Sequence, residues 1–540
     1  MKYTEFSVKK KKGGVREIKA PERRLKLLQR RLANLLYRCS EQIEENAGHR
    51  RALSHGFARE RSIITNAEQH KCRRYVFNLD LKDFFPTINF GRVRGIFIKD
   101  KRFHLNEKVA TVIAQIACHE NALPQGSPCS PVISNIVAHL LDIKLVKIAK
   151  RYKCTYSRYA DDITFSTNQE SFPIELAVPV SGVTGKWEVG KTLLSEIQRS
   201  GFEINSGKTR MQIRGSRQIA TGLLVNKKVN IRPEYYRSVR SMCNSLFNTG
   251  EYYKMVPAFI EGGNVGDPDI KVTMQSMAPL QGMLEHIYHV RNSVDLRDSA
   301  EKKKNSTATR RLYHKFLFFK NFIALEKPMI ITEGKTDSTY LLSAIEMLPI
   351  YQPEFGVVDG GVLKPTVNFM NFTKSVHDVL QLGGGTGDFK YFILNYKNML
   401  KEYRFRPLAH PVILLIDNDD GAGVIFSVLK ELKLNVSHDS VDPFYRIVEN
   451  LYLVKTPESN KGNKWSSIED FFHADVRAIE LGGKKFDPSN KHTGENTYGK
   501  AFFAEKVIRP RRKNIDFSGF SSLIERIKSA KNDYYQKMNG

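Results

Sequence analysis

Cysteine is scarce in this chain and is poorly spaced for structural chemistry. The 540 residues include six cysteines, and no two of them are separated by two residues. A zinc site built on paired cysteines, or a disulfide framework, is therefore not indicated. This usage fits a reducing compartment, so we expect a cytoplasmic protein.

Long hydrophobic runs are lacking as well. The longest apolar stretches, such as Val412–Ile416, have the length of a strand, whereas a helix that crosses a membrane needs about 20 apolar residues. The first residues are charged and form no apolar signal segment. We therefore expect no membrane partner.

Acidic residues are too few to balance the basic ones. The chain has 85 Lys and Arg against 57 Asp and Glu, which gives a net charge of +28. Because so basic a chain repels itself, nucleic acid is the expected partner, and a solvated basic surface is the weaker alternative. The length predicts two or three domains.

A predicted hairpin carries two adjacent carboxylates. Two strand-forming arms enclose a turn that Asp161 and Asp162 fill. Asp is common in solvated turns, but Tyr159 and Ile163 flank this one, which favours burial. Buried like charges need a cation. Asp80, on another predicted strand, would complete a site for two Mg²⁺ ions.

Four segments resemble, in chain order, the palm motifs of reverse transcriptases. They are Asn78–Phe85 (NLDLKDFF), Leu123–Pro131 (LPQGSPCSP), Arg158–Asp162 (RYADD) and Gly201–Arg210. Several motifs in order are far more specific than any single match. The resemblance covers roughly residues 10–290 and implies an α+β right-hand polymerase with fingers, palm and thumb.

The resemblance also assigns roles to the residues of the predicted metal site. Asp80 and Asp161 would hold two Mg²⁺ ions, with Asp162 in support and the backbone carbonyl of Leu81 as a further ligand. Phe85 falls where the family has its steric gate, so deoxynucleotides would be preferred. Core packing is the alternative for this ring alone.

Three further residues would contact nucleotide or template by the same resemblance. Gln125 and Gly126 lie in the second motif, and Lys208 could approach the pyrophosphate. For a single lysine, however, a solvated position is the commoner outcome.

Two strings outside the metal site are typical of retron reverse transcriptases. Asn66–His70 matches their Asn-Ala-x-x-His motif, and Ala220–Gly222 resembles their Val-Thr-Gly motif with Ala in the first place. Retron enzymes copy a structured non-coding RNA from their own locus and start at a guanosine 2′-OH. Their product is branched RNA–DNA, the multicopy single-stranded DNA. The candidate RNA contacts are His70, Asn226, Tyr235, Tyr236, Arg237 and Arg240; for His70 alone a core position is the better alternative.

A second acidic group follows two apolar strands later in the chain. Met329–Thr332 precedes Glu333, and Val412–Ile416 precedes Asp417 and Asp419. Continuous apolar strands alternating with helices predict a mainly parallel sheet, and ligands gather at the C-terminal edge of such sheets. Each acidic cluster alone would more simply be polar residues that end a strand.

Together these clusters resemble the Toprim domain. Glu333 would act as general acid or base, and Asp417 and Asp419 would hold one or two Mg²⁺ ions, with Mn²⁺ as an alternative. Glu469 could assist a second metal and Lys500 a phosphate, although surface roles are as reasonable. A retron reverse transcriptase fused to a Toprim domain is the architecture of the Ec67-type retron, which implies a nuclease effector in antiphage defence.

The predicted domains are fingers and palm at 1–230, an RNA-binding thumb at 231–295, a linker and connecting helix at 296–325, and an α/β Toprim domain at 326–540. The alternative is an abortive-infection-type reverse transcriptase whose Toprim domain is a non-catalytic nucleic-acid-binding scaffold. Whether the effector would cut DNA or RNA stays open, as does a homo-oligomer bridged by the hybrid.

Overall fold

The computed structural model describes residues 2–10, 14–46, 53–183, 185–260, 267–360, 362–457, 465–489 and 496–540. The chain divides into two compact units, each made of several segments. The first unit comprises Met1–Val239, Lys254–Val272 and Met283–Glu301, and the second comprises Arg240–Tyr253, Thr273–Gly282 and Lys302–Gly540.

A five-stranded antiparallel sheet forms the centre of the first unit. Its order is Thr155–Tyr159, Asp162–Thr167, Tyr75–Lys82 and Glu203–Ile204, and Arg210–Ile213 also pairs with Tyr75–Lys82. The middle strand therefore has partners on both sides, which fixes the register of the residues at its C-terminal end.

Helices complete the core of this first unit. The long helix Ser130–Arg151 contributes Leu141 and Leu145, which are fully buried with Phe97 and Phe165 in one hydrophobic cluster. Burial of such side chains stabilises a fold by about 1.5–3 kcal/mol each. The sheet edge that carries polar residues is thus supported by a rigid apolar core.

The remaining elements of the first unit surround this core. The helices are Arg23–Asn46, Ile63–Glu68, Phe90–Lys99, Glu107–Ala117 and Lys191–Arg199. The strands are Tyr3–Lys9, Val15–Pro21, Ala177–Pro179, Trp187–Val189, Ile219–Ala220 and Leu223–Leu224. Between residues 233 and 304, where the chain alternates between the two units, lie the helices Pro233–Thr249, Ala278–Ser293 and Ser299–Lys304 and the strands Tyr253–Val256 and Ile270–Thr273.

A second five-stranded sheet organises the other unit. Its order is Asn368–Phe369, Met329–Thr332, Val412–Ile416, Leu451–Lys455 and Tyr445–Val448. The first three neighbouring pairs are parallel, and the last pair is antiparallel. All residues of the three middle strands are buried, as expected when both faces of a sheet are covered.

The remaining elements of the second unit are mostly helical. The helices are Ala308–Phe318, Asp337–Met347, Gln352–Phe355, Thr386–Leu400, Ala422–Glu431, Ala474–Arg477, Lys500–Phe502, Arg509–Arg511 and Ser521–Asn539. The short strands are Gly356–Asp359, Val362–Pro365, Lys485–Phe486 and Thr497–Tyr498. Among the described residues, no helix combines the length and apolar character needed to cross a membrane.

Two segments add to the sequence-based expectation. The predicted thumb at 231–295 contains two strands, at 253–256 and 270–273, besides its helices, and tyrosine, isoleucine and valine favour extended backbone there. The predicted linker and connecting helix at 296–325 contains the helices Ser299–Lys304 and Ala308–Phe318. Residues 302–325 belong to the second unit, because Tyr313 and Phe316 are fully buried there.

Candidate active sites

The hairpin and the neighbouring strand bring three carboxylates together in the first unit. In the antiparallel register Asp162 lies opposite Tyr159 on one side and opposite Asp80 on the other. The backbone N–H of Leu81 donates to the carbonyl of Asp161 over 3.0 Å. Backbone pairing alone therefore places Asp80, Asp161 and Asp162 at one sheet edge, as predicted.

The local environment disfavours charge on two of these carboxylates. Burial raises the pKa of Asp161, and the neighbouring charge of Asp80 adds to this effect. Asp162 begins the second strand of the hairpin and is exposed, so its predicted burial in the turn is wrong. Desolvation by nearby protein atoms, followed by the charges of Asp161 and Asp80, still raises the pKa of Asp162 to about 6. Raised pKa values of clustered carboxylates indicate a site that has too little positive charge to balance them.

One positive charge is supplied by the chain itself. Lys208 Nζ lies 2.8 Å from Asp80 Oδ2, and the Asn205 amide donates to Asp80 Oδ1 over 3.3 Å. The Lys208 side chain is 60% exposed, whereas that of Asp80 is 5% exposed. Burial would lower the pKa of Lys208, but the bond to Asp80 and the other carboxylates raise it overall. Lys208 thus lies against the predicted metal ligand Asp80, and its contact with pyrophosphate stays a prediction.

A buried ion pair lies directly behind the carboxylate turn. The fully buried guanidinium of Arg158 donates to both oxygens of Asp142, each over 2.7 Å. It also donates to the carbonyl of Ala160 over 2.9 Å. Tyr156 donates its hydroxyl to Asp142 over 2.6 Å. The turn that carries Asp161 is thus held by a charged side chain that cannot leave the interior.

The predicted nucleotide-binding residues lie around this edge. Phe85 is half-buried and packs against Phe84, with ring centroids 5.5 Å apart. Gln125 accepts a backbone hydrogen bond from Lys19. Gly126 has φ +124°, and a side chain there would meet the Lys19 carbonyl at 2.8 Å. Only glycine fits this loop, which leaves its role in nucleotide binding a prediction.

The prediction that His70 contacts RNA is wrong. Its ring is completely buried, with Nε2 2.7 Å from Ser157 Oγ and Nδ1 2.8 Å from Ser166 Oγ. Burial lowers the pKa of His70 to about 3, so the ring is neutral at physiological pH. Asn66, the first residue of the same Asn-Ala-x-x-His motif, accepts a hydrogen bond from the Ser157 hydroxyl over 2.7 Å. Both motif side chains therefore make their polar contacts in the protein interior.

Asn226 likewise makes its polar contacts within the chain. Its side-chain oxygen accepts from the Gln218 backbone, and its amide donates to the carbonyls of Arg214 and Ser216. These three bonds close a loop between short strands. They use both polar ends of the side chain, which does not favour the predicted RNA contact.

The other RNA candidates lie at the start of the helix Pro233–Thr249. Tyr235, Arg237 and Arg240 are exposed, and the half-buried Tyr236 has the guanidinium of Arg291 over its ring at 4.1 Å. Exposed aromatic and basic side chains on one helix are compatible with RNA binding, which stays a prediction for these four residues.

In the second unit, Glu333 and Asp417 follow adjacent parallel strands. The Asp417 backbone N–H donates to Glu333 Oε2 over 3.3 Å. Burial and the charge of Asp419 raise the pKa of Glu333, while burial with the charges of Asp337 and Glu469 raises that of Asp417 well above normal. The acidic residues predicted from the two strand ends therefore meet at one edge of the sheet.

Three further residues join this edge, and the sequence had singled out only two of them. Glu469 is 1% exposed and lies 3.0 Å from Lys500 Nζ; its other carboxylate oxygen, Oε1, is buried without a hydrogen-bond partner. Asp337, which accepts from the Gly334 N–H over 2.8 Å, was missed. The available signal was its position four residues after Glu333, where strand turns into helix.

The glycine-rich loop at residues 383–387 packs against the same edge of the sheet. A side chain on Gly384, which has φ +91°, would lie 2.5 Å from the carbonyl oxygen of Glu333. One on Gly421 would lie 3.1 Å from the Asp419 carboxylate. Glycine at 384 thus permits a backbone approach that a side chain would block, whereas a Cβ at 421 would require only a small shift of the Asp419 side chain.

The antiparallel sheet with its acidic hairpin defines the first unit as a polymerase palm of the reverse transcriptase class. In agreement, residues 8–233 match the family model "Reverse transcriptase (RNA-dependent DNA polymerase)". The telomerase from Candida tropicalis has 13% identity over 74% of this chain and 66% of its own, with a TM-score of 0.32.

Sequence relatives indicate which group of reverse transcriptases this chain resembles. The retron Ec86 reverse transcriptase of Escherichia coli is 31% identical over 46% of this chain and 70% of its own length. The retron Mx65 and Mx162 enzymes of Myxococcus xanthus are 37% and 35% identical over 44% and 42% of this chain. The chain spans about half the length of these two relatives, 55% and 47%. The chain belongs to the retron reverse transcriptases.

Proposed function

We propose that the first unit is an RNA-directed DNA polymerase that makes branched multicopy single-stranded DNA from a cognate non-coding RNA. The observation that carries this proposal is the meeting of Asp80, Asp161 and Asp162 through strand register. Membership of the retron family supports the choice of an RNA template.

The carboxylate set fits divalent metal, with Mg²⁺ as the expected ion. The raised pKa values of Asp161 and Asp162 and the pairing of Asp80 with Lys208 indicate an excess of negative charge. Among the described residues, the group with all ligand atoms within 4.8 Å is instead Glu5, His119 and Glu120, where Lys19 neutralises both glutamates. The polymerase carboxylates would therefore move closer together on binding an ion.

In the proposed mechanism, Asp80 and Asp161 would hold the metal, with Asp162 beside them. When bound, metal ions would polarise the phosphate and activate the primer hydroxyl. Lys208, released from Asp80, would be free to neutralise pyrophosphate, because its side chain is mostly exposed. Phe85 would exclude a ribose 2′-OH, which favours deoxynucleotides.

Expression of the chain with its own locus tests this proposal. The purified protein should carry branched RNA–DNA, and the Asp161→Ala variant should carry RNA alone. Absence of any DNA from the wild-type preparation would reject the retron assignment. Product made without a template would instead favour the abortive-infection alternative.

For the second unit we infer a Toprim-type, metal-dependent nuclease that acts as an antiphage effector. Five carboxylates lie around the edge of its parallel sheet: Glu333, Asp337, Asp417, Asp419 and Glu469. The unpartnered Glu469 Oε1 is what a site awaiting a cation would leave. Glu333 would serve as general acid or base, Asp417 and Asp419 would hold Mg²⁺ or Mn²⁺, and Lys500 would meet phosphate.

Growth assays separate this proposal from an inert scaffold. Phage-induced growth arrest should disappear with Glu333→Ala while the DNA product persists. An arrest that survives Glu333→Ala would leave the domain as a nucleic-acid-binding scaffold. Sequencing of cleaved nucleic acid from arrested cells would identify a DNA or RNA target.

A further inference from the structure

We infer that residues 53–70, here called the bracing segment, position the hairpin that carries Asp161 and Asp162. The segment includes the retron-type motif residues Asn66 and His70, for which the proposed mechanism has no role. It contacts the hairpin at its turn and at both of its strands. The inference rests on the proposed polymerase activity and assigns the segment a positioning role in it.

The first contact is made by Gly56 at the turn itself. A Cβ atom on Gly56 would overlap the backbone nitrogen of Ala160 and lie 3.0 Å from the carbonyl carbon of Tyr159. Ala160 has φ +57°, a left-handed conformation that is costly for a residue with a side chain. The strained turn is thus packed directly against a backbone that only glycine allows so close.

Hydrogen bonds fix Gly56 in this place. Its carbonyl accepts from the Asn135 amide over 2.7 Å and from Ser54 Oγ over 3.1 Å. The His55 backbone N–H donates to the Arg158 carbonyl over 2.7 Å. The segment therefore extends the sheet by a short pairing beside the hairpin, and Arg158 holds the carbonyl of Ala160 from within.

The second contact joins both strands of the hairpin. Ser157 Oγ is shared by Asn66 and His70, and the other ring nitrogen of His70 reaches Ser166 Oγ. All four groups are buried. With its hydroxyl donated to Asn66, Ser157 accepts from the Nε2–H of His70, and Nδ1 then accepts from Ser166. A complete chain of hydrogen bonds makes this link rigid.

The segment also reaches the predicted sugar-selecting ring. Phe57, directly after Gly56, has φ +55°, and its ring centroid lies 5.9 Å from that of Phe85. One short segment thus touches the carboxylate turn and the predicted gate. Small displacements of reacting groups cost large factors in rate, so the segment is placed to control catalysis without touching substrate.

Primer extension by the full-length protein on an RNA template, with Mg²⁺, tests this inference through Gly56→Ala. We expect kcat to fall about 30-fold and half-saturation to need more Mg²⁺, with KM for deoxynucleotide nearly unchanged. Because the added Cβ must displace the Ala160 backbone, the melting temperature should fall as well, so kcat is compared at a temperature where the variant is fully folded. The matched control is Gly95→Ala, because a Cβ there would meet nothing within 4 Å; its kcat should equal that of wild type.

Wild-type kcat in a folded Gly56→Ala protein would overturn the inference. If that variant does not fold, Ser157→Ala decides, since it removes the shared hydroxyl without adding bulk: a lower kcat at unchanged melting temperature supports the inference, and wild-type kcat overturns it. Should wild-type protein fail to extend any primer, the proposed polymerase function fails instead. Calorimetric Mn²⁺ titration then still tests the brace, because Gly56→Ala must weaken binding and Gly95→Ala must not.

Discussion

The two acidic sites of this chain each carry a lysine, and the two lysines differ in kind. At the polymerase edge Lys208 is 60% exposed on a buried Asp80, whereas at the second edge Lys500 is 25% exposed on a Glu469 that is 1% exposed. An exposed ammonium can leave when metal or substrate arrives. The more enclosed ammonium group of Lys500 is expected to stay in its site.

The backbones behind the two sites differ as well. Antiparallel register aligns Asp80 with Asp162, so the polymerase site follows from strand pairing alone. At the second edge, parallel strands supply Glu333 and Asp417, while Asp337 and Glu469 come from separate helical turns. A site gathered from several loops depends more on its internal counter-charge.

The strongest test of this comparison is to inactivate each site separately. Asp161→Asn should lower DNA synthesis by about 1000-fold or more, because no other group replaces a metal-holding carboxylate. Glu333→Gln should leave DNA synthesis unchanged and abolish nuclease activity. Primer extension and nuclease assays on the same preparations check this, and loss of both activities in either variant would contradict two independent centres.

The second test replaces each lysine and compares the loss in the free energy of unfolding. Lys500→Met leaves Glu469 buried without its partner and should lower the free energy of unfolding by about 3 kcal/mol. Lys208→Met should lower it by less than that, because solvent screens the charge of the mostly exposed Lys208 side chain even though Asp80 is buried. Denaturant titration followed by hydrogen exchange in each unit measures both. Equal losses would show that the two lysines do not differ as described.

Acid should lower stability through His70 and raise it through the clustered carboxylates, which include Asp161 and Asp162 in the first unit and Glu333 and Asp417 in the second. The pKa of His70 is lowered to about 3 by burial, so between pH 6.5 and 3 the unfolded chain binds a proton that the folded protein does not. Stability therefore falls as pH drops, by about 2 kcal/mol at pH 5 for this residue. In the second unit, Glu333 and Asp417 have raised pKa values, and their protonation relieves repulsion.

Hydrogen exchange at pH 7.5 and pH 5 measures this difference within each unit. His70→Asn should flatten the acid dependence of protection in the Asp161 hairpin and leave the second sheet as it was. An unchanged slope would mean that His70 is protonated while buried.

The smallest expected effect concerns sugar selection, which only the polymerase site should have. Phe85→Ala should raise ribonucleotide incorporation by about tenfold, because the lost ring would have met the 2′-OH. Competition between ribonucleotides and deoxynucleotides in primer extension checks this. Nuclease activity of the second unit should not change, and unaltered selection would leave Phe85 as a core residue.

Much of the first site could be predicted because its signals are local. Asp161 and Asp162 lie in one turn, and the strand of Asp80 alternates clearly, so neighbouring residues determine both. The pairing of Lys208 with Asp80 could not be predicted, since it joins side chains 128 residues apart. His70 was misassigned for the same reason, because its burial depends on two serines of a distant hairpin.

The second site was predictable at its strands and not at its helices. Glu333 and Asp417 each end a run of buried residues that is visible in the sequence. Asp337 begins a helix, where an acidic residue is ordinary, and nothing local distinguishes it from a charge that favours the helix dipole. Its fully enclosed position emerges only when the segments that contain Glu469 and Lys500 fold over it.

The order of segments in the two compact units has a consequence for truncation. The second unit takes residues 240–253 and 273–282 from between parts of the first. A chain cut anywhere within residues 240–301 would therefore divide both units. Neither unit can be obtained whole from a single cut in that range.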